Sequence, residues 1–283
     1  MRIPVTVGQD ARPRVVNVLR PAALAGWADG MIEITDGDRM TFRERGYVVL
    51  PGVLGGRELA AGRRTAEAML AGQPPAEDHR GPYFLWPRFG GGACAHGLLR
   101  LYRQACLGDL AAAILRPDLP PDEPDFAQLA TTIPPWPHRP GGPHVDGISP
   151  PAADGQPGTF SLLAGLWLTD HDSPDQGNLW VWPGTHRRFG QWLAEHGAGA
   201  LGRTDLMNPG PYPPVELGDP VQLTGPAGSV LFAHYLLAHN IGGHAGPAGA
   251  PPREVIYYRL QAAGHADRWR DVVTAPLTEI RAG

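Results

Sequence analysis

Two short stretches carry side chains able to hold a metal ion. His144 and Asp146 stand two apart in Pro143-His144-Val145-Asp146-Gly147. On an extended segment alternate side chains point the same way, so one imidazole and one carboxylate can grip a single cation. A third ligand must come from elsewhere, and the best candidate is His239 in Leu236-Leu237-Ala238-His239-Asn240. Two histidines and a carboxylate on one face of an octahedral metal form the ligand set of non-haem Fe(II) oxygenases, which leaves three positions open for chemistry. A His-x-Asp pair also occurs in loops whose polar residues are merely solvated, so the surrounding elements must carry the argument.

The chain before residue 120 reads as helices. Thr41-Phe42-Arg43-Glu44 has the form of a capping box, with Gly46 closing a short helix and Tyr47-Val48-Val49-Leu50 forming a strand ended by Pro51-Gly52. Further helices are expected over 57–70 and 96–115, the second with Cys106 as a small core residue, separated by a loop over 71–96. Aromatics in that loop, Tyr83, Phe84, Trp86 and Phe89, would plug the core edge ahead of lining a pocket. From residue 125 the pattern changes to short strands with turn punctuation, over 126–133, 160–169, 178–182, 221–223, 229–237 and 253–260. Regular antiparallel strands predict a mainly β fold, a double-stranded β-helix or jelly roll of cupin-like form, buttressed by the N-terminal helices. The whole chain, 1–283, reads as a single domain: a mostly helical buttress over 1–120, a jelly-roll core over 121–262 and a tail over 263–283.

Composition sets limits. Hydrophobic residues make up 42%, enough for a sizeable core, while 38 Gly and 32 Pro mean many turns and long loops. The net charge of -4 gives no reason to expect nucleic acid or an anionic membrane as partner. All 24 basic residues are Arg, which rules out Schiff-base chemistry and a P-loop lysine. The 2 Cys are too few for a disulfide framework or a zinc site. No apolar run reaches membrane-spanning length and the N-terminus lacks a secretory h-region, so a cytoplasmic protein acting on a small molecule is expected.

Three elements now stand in order: His144-x-Asp146, then Gly177-x-Leu179-x-Val181-x-Pro183-Gly184-Thr185-His186, then Val230-Leu231-Phe232 leading to His239, with Arg253 following. Together with Gly46-Tyr47-Val48-Val49-Leu50-Pro51-Gly52, this resembles the phytanoyl-CoA dioxygenase family of Fe(II)- and 2-oxoglutarate-dependent oxygenases, over roughly residues 41 to 260. The resemblance implies that His144, Asp146 and His239 ligate Fe(II), with O2 as cosubstrate. Arg253 would pair bidentately with the distal carboxylate of 2-oxoglutarate, a task that suits a planar, always-charged guanidinium. Arg259, on the same face of the same strand, is the alternative. Relatives often carry Ser two residues after the distal His, where this chain has Ile241, so Gln128 or Thr131 on the first core strand is considered for the missing contact. The Pro183–His186 turn is scaffold. In related halogenases the position of Asp146 is Gly or Ala, so a carboxylate there implies hydroxylation, desaturation or cyclisation. The loops 149–158 and 197–220 would act as lids.

The other histidines divide by setting. His79, His138, His171, His196 and His265 read as solvated, His234 as a satisfied core histidine, and His244 as the best further functional histidine, facing a substrate. Two other readings compete with the oxygenase. One is a cupin-like isomerase or hydrolase that uses zinc without 2-oxoglutarate, which leaves a buried Arg253 without an anion. The other is a non-catalytic jelly-roll binding module, which leaves the triad without a purpose.

Overall fold

The computed structural model describes residues 14–17, 32–90, 92–138, 142–146, 158–203 and 214–282. Its elements run β1 (Arg14–Asn17), α1 (Asp36–Arg45), β2 (Tyr47–Leu50), α2 (Gly56–Gly72), β3 (Gly81–Leu85), α3 (Ala93–Gln104), α4 (Leu107–Ile114) and β4 (Gln128–Ile133). They continue with β5 (Leu162–Trp167), β6 (Leu179–Val181), α5 (Thr185–His196), β7 (Val221–Thr224), β8 (Val230–His234), β9 (His239–Ile241), β10 (Arg253–Leu260) and α6 (His265–Thr274). A six-stranded sheet has the order β2-β8-β5-β10-β4-β3, and a four-stranded sheet the order β1-β7-β6-β9. The larger sheet is antiparallel throughout, the arrangement expected of a jelly roll.

Two-residue alternation along the central strands divides the core. On β10, Ile256, Tyr258 and Leu260 join Leu162, Ala164 and Leu166 of β5 against the helices. Val255 and Tyr257 join Leu163 and Trp167 in the space shared with the small sheet. Helices α1 to α4 thus cover one face of the large sheet, while the other face looks into the β sandwich, where α5 and α6 also pack. Phe42 of α1 is wholly buried on the helical side, a burial that contributes about 1.5–3 kcal/mol.

Local chemistry shifts several expected boundaries. The capping box is made by Thr35 and Asp38 instead of Thr41 and Glu44: Thr35 Oγ1 accepts from the Asp38 N–H, and the Thr35 N–H donates to Asp38 Oδ2. Gly46, at φ 83°, closes this longer helix as expected. The stretch expected as a loop over 71–96 contains β3, an edge strand paired with β4. The helix expected over 96–115 is two helices. Buried positions run 98, 101, 102 and 105, then 107, 110, 111 and 114, a change of phase that one straight helix cannot present to the sheet. The chain resets at Cys106, which takes φ 48° and is exposed instead of buried in the core. The C-terminal stretch expected as a tail holds α6. Of the expected lids, residues 149–157 and 204–213 lie outside the described residues, and Ala198–Arg203 of the second form a 3-10 helix.

His265 and His171, expected to be solvated, are buried. His265 Nδ1 lies 3.0 Å from Glu279 Oε2, and Thr159 Oγ1 lies 2.9 Å from its Nε2. The Ser161 hydroxyl donates to Glu279 at 2.5 Å, and Arg268 donates to the other carboxylate oxygen at 3.0 Å. This network fastens the C-terminal segment to the start of β5. His171 sits against the Trp167 ring at 4.7 Å, and burial, with Arg253 and His244 nearby, holds its pKa far below the usual histidine range. His234 is a satisfied core histidine as expected, bonded through Nε2 to the Pro276 carbonyl at 2.7 Å and accepting the Leu236 N–H at 3.0 Å.

Candidate metal centre

His144 and His239 meet through backbone pairing. The His144 N–H donates to the His239 carbonyl at 3.0 Å, and the His239 N–H returns a bond of 3.2 Å. This bridge extends the edge of the small sheet beyond β9 and sets the two imidazoles 4.6 Å apart. Val145 between the ligands is wholly buried in the sandwich, so alternation turns His144 and Asp146 the other way. Asp146 Oδ1 then lies 3.5 Å from His144 Nε2 and 3.6 Å from His239 Nε2. One ligating atom from each of the three residues falls within 4.8 Å of the others.

The distal ligand is held by its neighbours. The Pro183–His186 turn starts α5, where the Thr185 hydroxyl donates to the Trp182 carbonyl at 2.6 Å and accepts the Ala238 N–H at 2.9 Å. That pair of bonds fixes the residue before His239 against the end of β6. His239 Nδ1 sits 2.9 Å from the Leu237 carbonyl, which places the ring proton on Nδ1 and leaves Nε2 for a metal. Burial opposes the charge of Asp146, but the two imidazoles and Arg259 outweigh it and hold its pKa well below the carboxylate range. His144 is pushed down by burial and by His239. Burial also works to lower His239, but Asp146 prevails and raises it, so a proton there is one that a metal cation would replace.

Arg253 stands in the sandwich on β10, 2% exposed. Its Nη2 donates to the Tyr257 hydroxyl at 2.8 Å, while Nε and Nη1 are buried without a partner among the described residues. Such a charge is costly unless an anion completes it. Gly177 explains how the side chain fits: at φ 82°, a Cβ there would lie 3.0 Å from Arg253 Cδ and 3.0 Å from Thr132 Cβ.

A family model of the phytanoyl-CoA dioxygenases matches residues 42–249. The chain belongs to this family. The match bears out the resemblance drawn from the sequence motifs and favours an oxygenase over the zinc isomerase or hydrolase. No curated protein matches the sequence. Among solved structures, the carbocyclase SnoK from nogalamycin biosynthesis is 21% identical, with a TM-score of 0.53 over 83% of this chain and 90% of its own. HygX from Streptomyces hygroscopicus, with nickel and 2-oxoglutarate bound, is 16% identical, with a TM-score of 0.52 over 81% and 88%. EctD from S. alaskensis, with 2-oxoglutarate and 5-hydroxyectoine, is 22% identical, with a TM-score of 0.52 over 90% and 85%. These likenesses establish the fold.

Within this dioxygenase-family fold, the remaining site candidates are placed as follows. Gln128 pairs with Tyr257, on the sandwich face of β4. Thr131 pairs with Glu254, so alternation turns it to the face away from Arg253, and Thr132 is the threonine opposite Arg253; among the described residues neither buried hydroxyl has a partner. His244, the best further functional histidine from the sequence, has both ring nitrogens engaged by the protein. Its Nδ1 accepts the Gly246 N–H at 3.2 Å and its Nε2 lies 3.2 Å from the Pro251 carbonyl, so both ring nitrogens serve the loop before β10. Arg259 lies beside the metal ligands, with Nη2 3.6 Å from Asp146 Oδ2. Sequence reasoning missed Tyr257 and Thr132. Two-residue alternation from Arg253 along β10, and the pairing of β10 with β4, are the signals that find them. Among the described residues no helix is long and apolar enough to cross a membrane.

Proposed function

We propose that this dioxygenase-family member is an Fe(II)- and 2-oxoglutarate-dependent enzyme that hydroxylates, desaturates or cyclises a small-molecule substrate. The observation that carries the reading is the convergence of His144, Asp146 and His239, which are distant in sequence, on one point with ligating atoms within 4.8 Å. Two imidazoles and one carboxylate suit iron and leave coordination positions for a cosubstrate and O2. The buried Arg253, with two unmatched nitrogens, is the group in the described sandwich that asks for a carboxylate. Thr132 and Tyr257 stand ready to share it, Tyr257 already accepting one guanidinium bond at 2.8 Å.

When bound, iron and 2-oxoglutarate couple decarboxylation of the keto acid to oxidation of a substrate C–H bond. The chain's own tasks are to bind, orient and exclude water. His239 offers Nε2 because Leu237 holds its Nδ1 proton. Asp146 turns Oδ1 toward both imidazoles and leaves Oδ2 facing Arg259. Arg253 takes the distal carboxylate deep in the sandwich, where low dielectric strengthens the pairing. Arg259 is a poor second candidate for that task, since a group 3.6 Å from a metal ligand is too near the metal to hold the far end of a chelated five-carbon diacid.

The test is an anaerobic titration of Fe(II) and 2-oxoglutarate, followed by the charge-transfer absorbance of the chelate, with succinate measured after O2 is admitted. Wild type should give both signals and His239→Ala neither. Full absorbance in His239→Ala would refute the ligand assignment.

A further inference from the structure

In the reading above Arg259 does no more than face Asp146 Oδ2, yet its surroundings are those of a binding group. Its guanidinium carbon lies 5.2 Å from the ring centre of Trp86, 5.7 Å from that of Phe126 and 5.5 Å from that of Phe160. Each such contact steadies the head group. Among the described residues its one polar contact is with Asp146 Oδ2 at 3.6 Å, longer than a hydrogen bond, although the head carries five N–H donors. A cavity of about 330 Å³ opens on it, lined also by Phe126, Phe160 and Gln261. Trp86 stands beside it, 49% exposed, the kind of half-wet aromatic that covers a ligand.

Two of the three acids at the cavity wall already have partners: Glu123 is held by Arg103 through bonds of 2.7 and 2.8 Å, and Asp125 is paired with Arg88 at 3.3 Å. The third, Asp122, is exposed to solvent. The cation inside the cavity is Arg259, and its described ion-pair partner, Asp146 at 3.6 Å, leaves its N–H donors free for a ligand. On its other side lies the carboxylate that faces the metal position. The two arginines of β10 are six residues apart, about 20 Å along the strand, so one can serve the cosubstrate and the other something else.

We propose that Arg259 is the substrate anchor: it binds a carboxylate of a substrate whose ring or other apolar body lies against Trp86, Phe126 and Phe160, and so selects substrates oxidised close to that carboxylate. The proposal rests on the cosubstrate reading of Arg253, which keeps 2-oxoglutarate out of this cavity. A planar carboxylate can take two parallel N–H bonds from the guanidinium edge, while the rings supply apolar contact. Arg259 acts here on substrate selection, in addition to facing Asp146.

The experiment uses the full chain loaded with Mn(II), a redox-quiet stand-in for Fe(II), and saturating 2-oxoglutarate. Calorimetry compares 3-phenylpropanoate with 3-phenylpropanamide, which has the same shape without the charge. Wild type should bind the acid at least about tenfold more tightly than the amide. Arg259→Gln and Arg259→Met should lose that preference while still binding Mn(II) and 2-oxoglutarate, each within about tenfold of wild type. Equal binding of acid and amide by wild type would overturn the proposal, as would a preference that survives in Arg259→Gln or an acid that excess 2-oxoglutarate displaces. A loss of Mn(II) affinity beyond about tenfold in both variants would overturn it too, making Arg259 a support for Asp146 alone. If 2-oxoglutarate fails to bind wild type in the loading step, the cosubstrate reading falls and takes the proposal with it, a failure told apart because it precedes the probe.

Discussion

Replacing Arg253 by Met should make the ligand-free protein more stable and abolish its response to 2-oxoglutarate. Arg253 is 2% exposed and makes one hydrogen bond, to Tyr257, leaving Nε and Nη1 without partners. Each unmet buried donor costs about 1–3 kcal/mol, so the two together cost about 2–6 kcal/mol in the ligand-free state. Met keeps most of the apolar stem and removes the charge, at the expense of leaving the Tyr257 hydroxyl without its donor. The net gain is about 1–4 kcal/mol, the range seen when buried ionic groups give way to apolar ones. With ligand the variant's advantage shrinks. At a 2-oxoglutarate concentration of about 100 times Kd, wild type gains about 2.7 kcal/mol. Losing one side of a buried charge pair costs about 2–5 kcal/mol, which weakens binding by about 30- to 4,000-fold and removes that gain. Urea denaturation with EDTA, and again with Mn(II) and 2-oxoglutarate, measures both arms. The reasoning is refuted if the variant's midpoint rises with 2-oxoglutarate as much as wild type's. It is also refuted if the ligand-free variant loses more than about 2 kcal/mol, which would mean that the guanidinium is already satisfied within the protein.

Gly177→Ala forces a Cβ against Arg253 and Thr132 at a φ of 82°, so it should cost about 1–3 kcal/mol and raise the KM for 2-oxoglutarate more than it lowers kcat. An unchanged KM would show that this contact does not position Arg253. Burial lowers the pKa of His186 to about 2 and that of His234 to about 4, while both bind protons near pH 6.5 when unfolded. The unfolded chain then binds more protons below pH 6.5, so stability falls as pH drops from 6.5 toward 5, with a limiting slope of about 2.7 kcal/mol per pH unit for the pair. A flat profile of urea midpoints over that range would contradict the burial of both rings. Burial pushes the Glu279 carboxyl up, but His265, Ser161 and Arg268 outweigh it and hold it below the usual range. Its contribution is therefore present above about pH 4.5 and lost as pH falls further, and Glu279→Gln should cost about 3 kcal/mol at pH 7, read as a lowered urea midpoint.

The parts of this protein that were legible in its sequence are those governed by short periods. A long apolar run marked β5, and alternation put Arg253 and Arg259 on one face of β10, because the side-chain period of a strand is fixed by backbone geometry. The His144-x-Asp146 pair was legible for the same reason: the buried Val145 pins the parity of its neighbours. What periodicity cannot supply is contact across elements. That Thr132 and not Thr131 faces Arg253 depends on the pairing of β4 with β10, which no residue of β4 announces. The burial of His265 depends on Glu279, 14 positions onward, and on Ser161, 104 positions back, so its polar neighbours in sequence suggested a solvated ring. The break at Cys106 was written in the sequence as a slip in the buried phase, but nothing in local propensity marks it, because the phase of each helix is set by what it packs against. The two arginines show the same limit most sharply. Both are inward by parity, and only their partners divide the work between them: orphaned nitrogens next to Thr132 and Tyr257 for one, a ring of aromatics beside a metal ligand for the other.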